Sequence, residues 1–323
     1  MIDIVIATQG KRFDFLKEYC LPSILKQVNN YKDFIHKVYL IVNNLADKQL
    51  SDYDYFKSLN DKIEIVEGNN TLKTLNKFIP YHEKYGFEYG VLHIDDDIVL
   101  DNDKLFYKQI NAIKKFPDLV IGHARCSYYH VNTLSSRIFN IDDSIFPSVT
   151  DCITNLVHLN HGVIYFPKDL LKDSFVLDVN YIKNNGMDKL CDEALIQLWL
   201  LLTNKMSYII NDTLNIGHDM IVYGKELALK ANIQESVSSN IENNIIEANE
   251  FLRLLNDDRF RQTIHKNLIT SELICLVNND NAMGFYLTRE KLRKITGKQI
   301  KIIYDGLSDS WQMQFTMHNW LVN

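Results

Sequence analysis

The chain has 323 residues, 46% of them hydrophobic and 24% charged, and a formal net charge of -6. That length and apolar share are enough for a full core, held in one large domain or in one domain with an extension. The acidic balance, with Lys and Arg spread along the chain, excludes an electrostatic nucleic-acid binder, which needs clustered cations against phosphate.

The first residues, MIDIVIATQGKR, enter an alternating apolar strand without the basic and apolar regions of a signal peptide. The longest apolar run, Ala194 to Leu202, is broken by Gln197 and falls short of the roughly 20 residues that span a bilayer. Five cysteines, Cys20, Cys126, Cys152, Cys191 and Cys275, form no CxxC pair, which predicts reduced thiols. The expectation is a soluble cytoplasmic protein with no transmembrane segment.

Ile2 to Thr8 predicts a buried strand, closed by the polar turn Gln9, Gly10, Lys11, Arg12. Phe13, Leu16, Cys20 and Ile24 then recur at helical spacing, with a kink expected at Pro22. Val38 to Val42 predicts a second strand ending at Asn43 and Asn44. Ile63 to Val66 predicts a third, ending in Glu67, Gly68, Asn69 and Asn70 before a helix from Thr71. A fourth apolar run, Tyr89 to Ile94, stops abruptly at Asp95, Asp96 and Asp97 and resumes as Ile98, Val99, Leu100.

Phe106, Ile110 and Ile113 mark a helix that stops at Pro117, and Leu119 to Ile121 is a further strand. Residues 126–157 have no clean period and predict an inserted segment over the site. Val163 to Phe166 is a strand following the polar turn Asn160, His161, Gly162. Asp192 to Thr203 is a strongly apolar helix whose opening acids suit the helix dipole. Tyr208 to Ile210 and Leu214 to Ile216 close the region, followed by Gly217, His218, Asp219. Beyond about residue 224, Ser239 and Glu242 make a capping box for a helix through Ile241, Ile245, Ala248, Leu252 and Leu255. A second helical pattern runs through Ile264, Leu268 and Cys275, a short one spans Arg289 to Ile295, and Ile300 to Tyr304 is a late strand.

Strands alternating with helices predict a mostly parallel α/β sheet, in which ligands sit at the carboxyl ends of the strands. Thr8, Asn43, Asn44, Asn69, Asn70 and the Asp triplet would share that edge, which suits a nucleotide. There is no GxGxxG and no GxxxxGK[ST]. Three adjacent carboxylates repel one another unless a cation neutralises them, and a hard divalent ion with oxygen ligands does so. A plain solvated turn is the bland alternative for the triplet.

In this order the motifs resemble a GT-A fold glycosyltransferase that uses a nucleotide sugar. The resemblance covers roughly residues 1–220. HIDDDIVL is similar to the DxD motif of that family, which implies Mn²⁺ or Mg²⁺ holding the donor diphosphate. It implies Asp97 as a direct metal ligand, Asp95 meeting ribose or metal, and Asp96 facing the donor sugar. CDEALIQLWLLLTNK resembles the acidic helix start of inverting members and nominates Glu193 as general base, with Asp192 as the alternative. IGHD places His218 where many members supply a further metal ligand, and LNHGVIYFPKDLL sets His161 and Gly162 beside the acceptor pocket. Thr8, Arg12 and Asn43 fall where the family holds base and ribose, and Asn70 and Lys73 where it holds ribose or phosphate.

The resemblance thus implies a catalytic domain over 1–223, with a nucleotide-sugar half to about 103 and an acceptor half over 104–223. A mainly helical accessory region, 224–323, follows. The partners implied are a UDP-sugar and a glycan or lipid-linked glycan acceptor. Two other readings compete: a sugar-phosphate nucleotidyltransferase, for which TQGKR is a poor triphosphate loop, and a non-catalytic carbohydrate-binding scaffold. The tail, with Phe251, Trp311 and Trp320, packs on the domain, forms an oligomer contact or rests on a membrane. Packing is the default because its helices lack a basic face.

Overall fold

The computed structural model describes residues 1–8, 10, 13–43, 50–68, 79–86, 88–96, 98–100, 103–123, 151–154, 160–169, 174–190, 192–210, 249–250, 253–254, 256–270, 274–278, 301–305 and 312–313. Of the site residues expected from sequence, Arg12, Asn70, Lys73, Asp97 and His218 lie outside these, and so do most of 126–157 and of the tail.

The first half alternates strand and helix as the apolar periods require: β1 (Ile2–Thr8), α1 (Phe13–Phe15), α2 (Leu21–Asn30), β2 (Ile35–Val42), α3 (Leu50–Lys57), β3 (Ile63–Glu67), α4 (Ile79–Tyr85), β4 (Gly90–Asp95) and α5 (Asp103–Lys115). Between α1 and α2 the expected kink is a π turn, Leu16–Cys20, in which the Leu21 N–H reaches back to the Leu16 carbonyl. Pro22 explains it, because its ring collides with the carbonyl four residues back and a widened turn moves that carbonyl aside.

The second half adds β5 (Val120–His123), β6 (Asp151–Thr154), β7 (Asn160–Phe166), α6 (Val179–Asn184), α7 (Asp192–Thr203) and β8 (Ser207–Ile210). The tail contributes α8 (Asp258–Thr270), β9 (Ile274–Asn278), β10 (Lys301–Asp305) and β11 (Gln312–Met313). All the described strands form one sheet in the order β11-β10-β9-β6-β8-β5-β7-β4-β1-β2-β3. β6, β7 and β11 run against the rest, so the sheet is mostly parallel and the fold is α/β as expected.

Both faces are covered. On one, Ile2, Ile4 and Ile6 of β1 pack with Leu40 and Val42 of β2 and with Leu92 and Ile94 of β4. Over them lie Leu16, Cys20, Ile24 and Val28 of the α1–α2 segment, Tyr53 and Phe56 of α3 and Phe106 and Ile110 of α5. On the other, Val5, Ile41, Val91, Ile164 and Phe166 are buried too. Each such side chain contributes about 1.5–3 kcal/mol on burial, and strands covered on both faces read as continuous apolar runs. The tail is tied in through α8, whose Asn267 donates to the carbonyls of Leu201 and Leu202 at the end of α7 at 2.8 and 3.0 Å. Those carbonyls belong to the last turn of α7 and lack intrahelical partners.

Three local expectations need correction. Asn160, His161 and Gly162 lie within β7 rather than in a turn before it. Their Asn and Gly give a turn signal, but Gly162 has φ +103 and falls where the β5–β7 register is irregular, so its freedom serves a bulge. Residues 151–154, expected in an inserted segment, are strand β6, paired with β8 and β9. Cys275 belongs to strand β9, not to a helix running on from Leu268, since α8 stops at Thr270. Besides α8, the described tail contributes three strands that extend the sheet.

Candidate active site at the strand ends

Register decides which residues meet. Thr8 of β1 pairs with Val42 of β2, and Ala7 pairs with Asp95 of β4. Thr8, Asn43 and Asp95 are therefore neighbours along one edge, joined there by the Asn43 N–H donating to the Thr8 carbonyl at 2.7 Å. Glu67 and Gly68 extend the edge beyond β2, with the Gly68 N–H on the Val42 carbonyl at 2.7 Å. From the other side β7 arrives antiparallel, pairing Val163 with Ile94, so Gly162 falls next to Asp95. A Cβ on Gly162 would stand 2.8 Å from Ile98 Cδ1, so this glycine lets β7 close on the residue after the triplet.

At the β1–β2 end, Thr8 is buried and its Oγ1 accepts from the Gly10 N–H at 3.2 Å, which closes the turn after β1. Asn43 is only 3% exposed, and its Oδ1 has no hydrogen-bond partner among the described residues. A buried acceptor without a donor is costly unless a ligand supplies one. The Asn43 amide lies directly against Gly68, where a Cβ would come within 1.8 Å of Oδ1.

The acid end is held from both faces of the sheet. Asp95 projects on the same face as His93, two residues earlier, and His93 Nε2 sits 3.0 Å from Asp95 Oδ1. His93 is itself buried, with Nδ1 3.2 Å from the Val5 carbonyl. From the opposite face, the Cys20 Sγ–H donates to the Asp95 carbonyl at 3.7 Å. Ser23 Oγ accepts from the Leu100 N–H at 2.8 Å, and Gln27 Nε2 donates to the Leu100 carbonyl at 3.1 Å and to Asp103 Oδ1 at 2.7 Å. Gln27 and Lys26 together hold the Asp103 carboxyl below the usual range. Cys20, Ser23 and Gln27, three and four residues apart, form one buried stripe along the helix that grips both ends of the segment carrying the triplet.

Of these four gripping residues only Cys20 was named from sequence, as an apolar position of the helix; His93, Ser23 and Gln27 were not. His93 reads as one polar break in an apolar strand, and Ser23 and Gln27 as breaks in a helix face. The usable signal was their spacing relative to Cys20, which puts polar groups on the buried side. Asp96 is half-buried in the turn that follows β4. Asp192 and Glu193 open α7, and their side chains, like that of His161, lie outside the described residues. Among the described residues no three His, Cys, Asp or Glu side chains form a metal-binding group. The edge does offer carboxylate oxygens of the kind a hard divalent ion takes.

No family model matches the chain, and no curated protein does. Among solved structures it is similar to residues 1–349 of TarS from S. aureus, at 14% identity and TM-score 0.42, over 65% of this chain and 58% of that one. The chain thus spans little more than half of that structure. It is also similar to an active-site mutant of LgtC, at 12% identity and TM-score 0.37, over 61% of this chain and 70% of that one. A third is 4-diphosphocytidyl-2C-methyl-D-erythritol synthase from Anaerococcus prevotii, at 19% identity and TM-score 0.35, over 57% and 77%. The first two are glycosyltransferases and the third a nucleotidyltransferase. Among the described residues no helix is long and apolar enough to cross a membrane.

Proposed function

We propose that the protein is a GT-A fold glycosyltransferase that moves a sugar from a nucleoside diphosphate, UDP in the first instance, to a hydroxyl of a glycan or lipid-linked glycan, inverting the anomeric centre. The observation that carries this reading is the single edge on which Thr8, Asn43 and Asp95 are consecutive. A buried acceptor with no partner among the described residues at one end and an acid cluster at the other suit a ligand with a base and a diphosphate. Asn43 Oδ1 accepts from an N–H of the base, while Thr8 and Arg12 border the ribose and Asn70 and Lys73 the phosphates.

Asp97, Asp95 and His218 would hold Mn²⁺ or Mg²⁺, whose chemistry when bound is to neutralise the charge developing on the departing diphosphate. Asp96 faces the donor sugar. Glu193, with Asp192 beside it, takes the proton of the acceptor hydroxyl as general base. His161 and Gly162, next to Asp95 on β7, border the acceptor. In this reading the enzyme works in the cytoplasm, and the tail packs on the catalytic domain.

The test is a panel of nucleotide sugars incubated with the full chain and Mn²⁺, with nucleoside diphosphate release measured. The expected result is metal-dependent turnover of a UDP-sugar that falls about 100- to 10,000-fold in Glu193→Gln while UDP binding persists. Product anomericity by NMR checks inversion. Pyrophosphate release from a nucleoside triphosphate and a sugar phosphate would replace this reading with nucleotidyl transfer. Neither turnover nor UDP binding would refute both.

A further inference from the structure

We infer that His93 is a positioning residue for Asp95, fixing the first acid of the triplet in the orientation a divalent cation or its water shell requires. The inference rests on the reading of the triplet as a cation site. The Val5 carbonyl can only accept, so Nδ1 carries a hydrogen and is spent on β1. That leaves Nε2 as the nitrogen facing the acid, 3.0 Å from Asp95 Oδ1. The ring cannot turn away, since His93 is 1% exposed and packed between neighbouring strands, whereas the Asp95 side chain keeps 27% of its surface open. One carboxylate oxygen is thereby committed inward, and the carboxylate presents its accessible surface at the strand end.

The backbone of Asp95 is fixed separately, by Cys20 from the opposite face, so the contact with His93 sets the side-chain rotamer of an acid whose main chain is already held. A carboxylate on a strand end otherwise samples several rotamers, each directing its oxygens differently. Partners one shell out from a metal ligand usually matter about 10- to 100-fold in metal affinity. His93 fits that role through chemistry as well as distance, because a strand carbonyl anchors one side of its ring.

The test uses the full chain and Mn²⁺, alone and with UDP, with free Mn²⁺ read by electron paramagnetic resonance, and imidazole ¹⁵N NMR as an independent readout. His93→Leu should weaken Mn²⁺ binding about 10- to 100-fold with the fold intact by circular dichroism. His93→Gln, whose amide can donate from near the Nε2 position, should recover most of it, and a purely structural role predicts no such rescue. In the wild type, the His93 ring should show a hydrogen on Nδ1, and Asp95→Asn should shift its Nε2 signal. Unchanged Mn²⁺ affinity in His93→Leu, or a ring with a bare Nδ1, overturns the inference. If the wild type binds no Mn²⁺, the cation reading fails. The His93–Asp95 contact is then decided by the ring signal: a shift with Asp95→Asn upholds the positioning, and no shift overturns it.

Discussion

Gly68→Ala tests how closely the β2–β3 end of the strand edge is built. The added Cβ would meet Asn43 Oδ1 at 1.8 Å, Asn43 Cγ at 2.6 Å and the Val42 carbonyl oxygen at 2.9 Å. The amide can rotate away, but the Val42 oxygen is backbone and accepts the Gly68 N–H, so part of the overlap persists whatever Asn43 does. Overpacking of this kind costs about 1–3 kcal/mol. With an unfolding entropy of about 2.1 cal/mol/K per residue, about 2 kcal/mol lowers the melting temperature of a chain this long by about 3 °C. Urea and thermal unfolding of the single variants and the double variant with Asn43→Ala make a cycle. Asn43→Ala alone should cost little in hydrogen bonding, because Oδ1 accepts nothing among the described residues. In the double variant most of the Gly68→Ala loss should disappear, a coupling of about 1 kcal/mol or more. A Gly68→Ala loss within about 0.5 kcal/mol, or an equal loss with and without the Asn43 amide, would refute the packing argument.

Three further outcomes are expected. Gln27→Leu removes the donor to the Leu100 carbonyl and to Asp103, and should cost about 1–3 kcal/mol in urea unfolding, since a buried acceptor loses its partner. Asp3 is buried, and desolvation raises its carboxyl above the ordinary 3.8 despite hydrogen bonds from Tyr81, His36 and the Lys37 N–H. The folded state therefore holds this proton more tightly than the unfolded chain. The contribution is full below about pH 3.8 and is lost as pH rises through the folded value. Asp3→Asn should thus gain stability relative to the wild type as pH rises through that range, in melts taken from pH 4 to 8. Hydrogen bonds from Arg259 lower the Asp257 carboxyl to about 2. Arg259→Gln should return it toward the ordinary range in an NMR titration, with a small loss of stability at neutral pH that vanishes as pH falls through about 2, small because solvent screens the Arg259 side of the pair.

Much of the first half of the chain was legible because each buried strand ends abruptly in polar residues. Ile2 to Thr8 matches β1 residue for residue, and the acid triplet begins where β4 ends. What was not legible depends on partners distant in sequence. The Asn160, His161, Gly162 signal looks like a turn locally, and only pairing with β4 and β5 makes it strand. Ile153 and Thr154 form too short a run to stand out until β8 and β9 flank them. Cys275 kept the helical spacing by coincidence, and the β-branched Ile274 and Val277 of its strand were the competing signal. His93, Ser23 and Gln27 were hidden for another reason. A polar residue inside an apolar period reads as imperfection until its hydrogen-bond partner is known.

The place of β7 between β4 and β5 has a consequence for biosynthesis. The block β3-β2-β1-β4 is complete once Asp95 has been made, yet one flank of β4, with Val91, Leu92 and Ile94, gains its neighbour only when the segment ending at Phe166 emerges about 70 residues later. At about 5–20 residues per second the ribosome leaves that hydrogen-bonding flank unoccupied for several seconds. An uncovered apolar edge is a template for pairing with another nascent chain. Fragments that stop between Asp103 and Asn160 should therefore be the insoluble ones, and a chaperone acting on this protein would find its main task in that interval of synthesis.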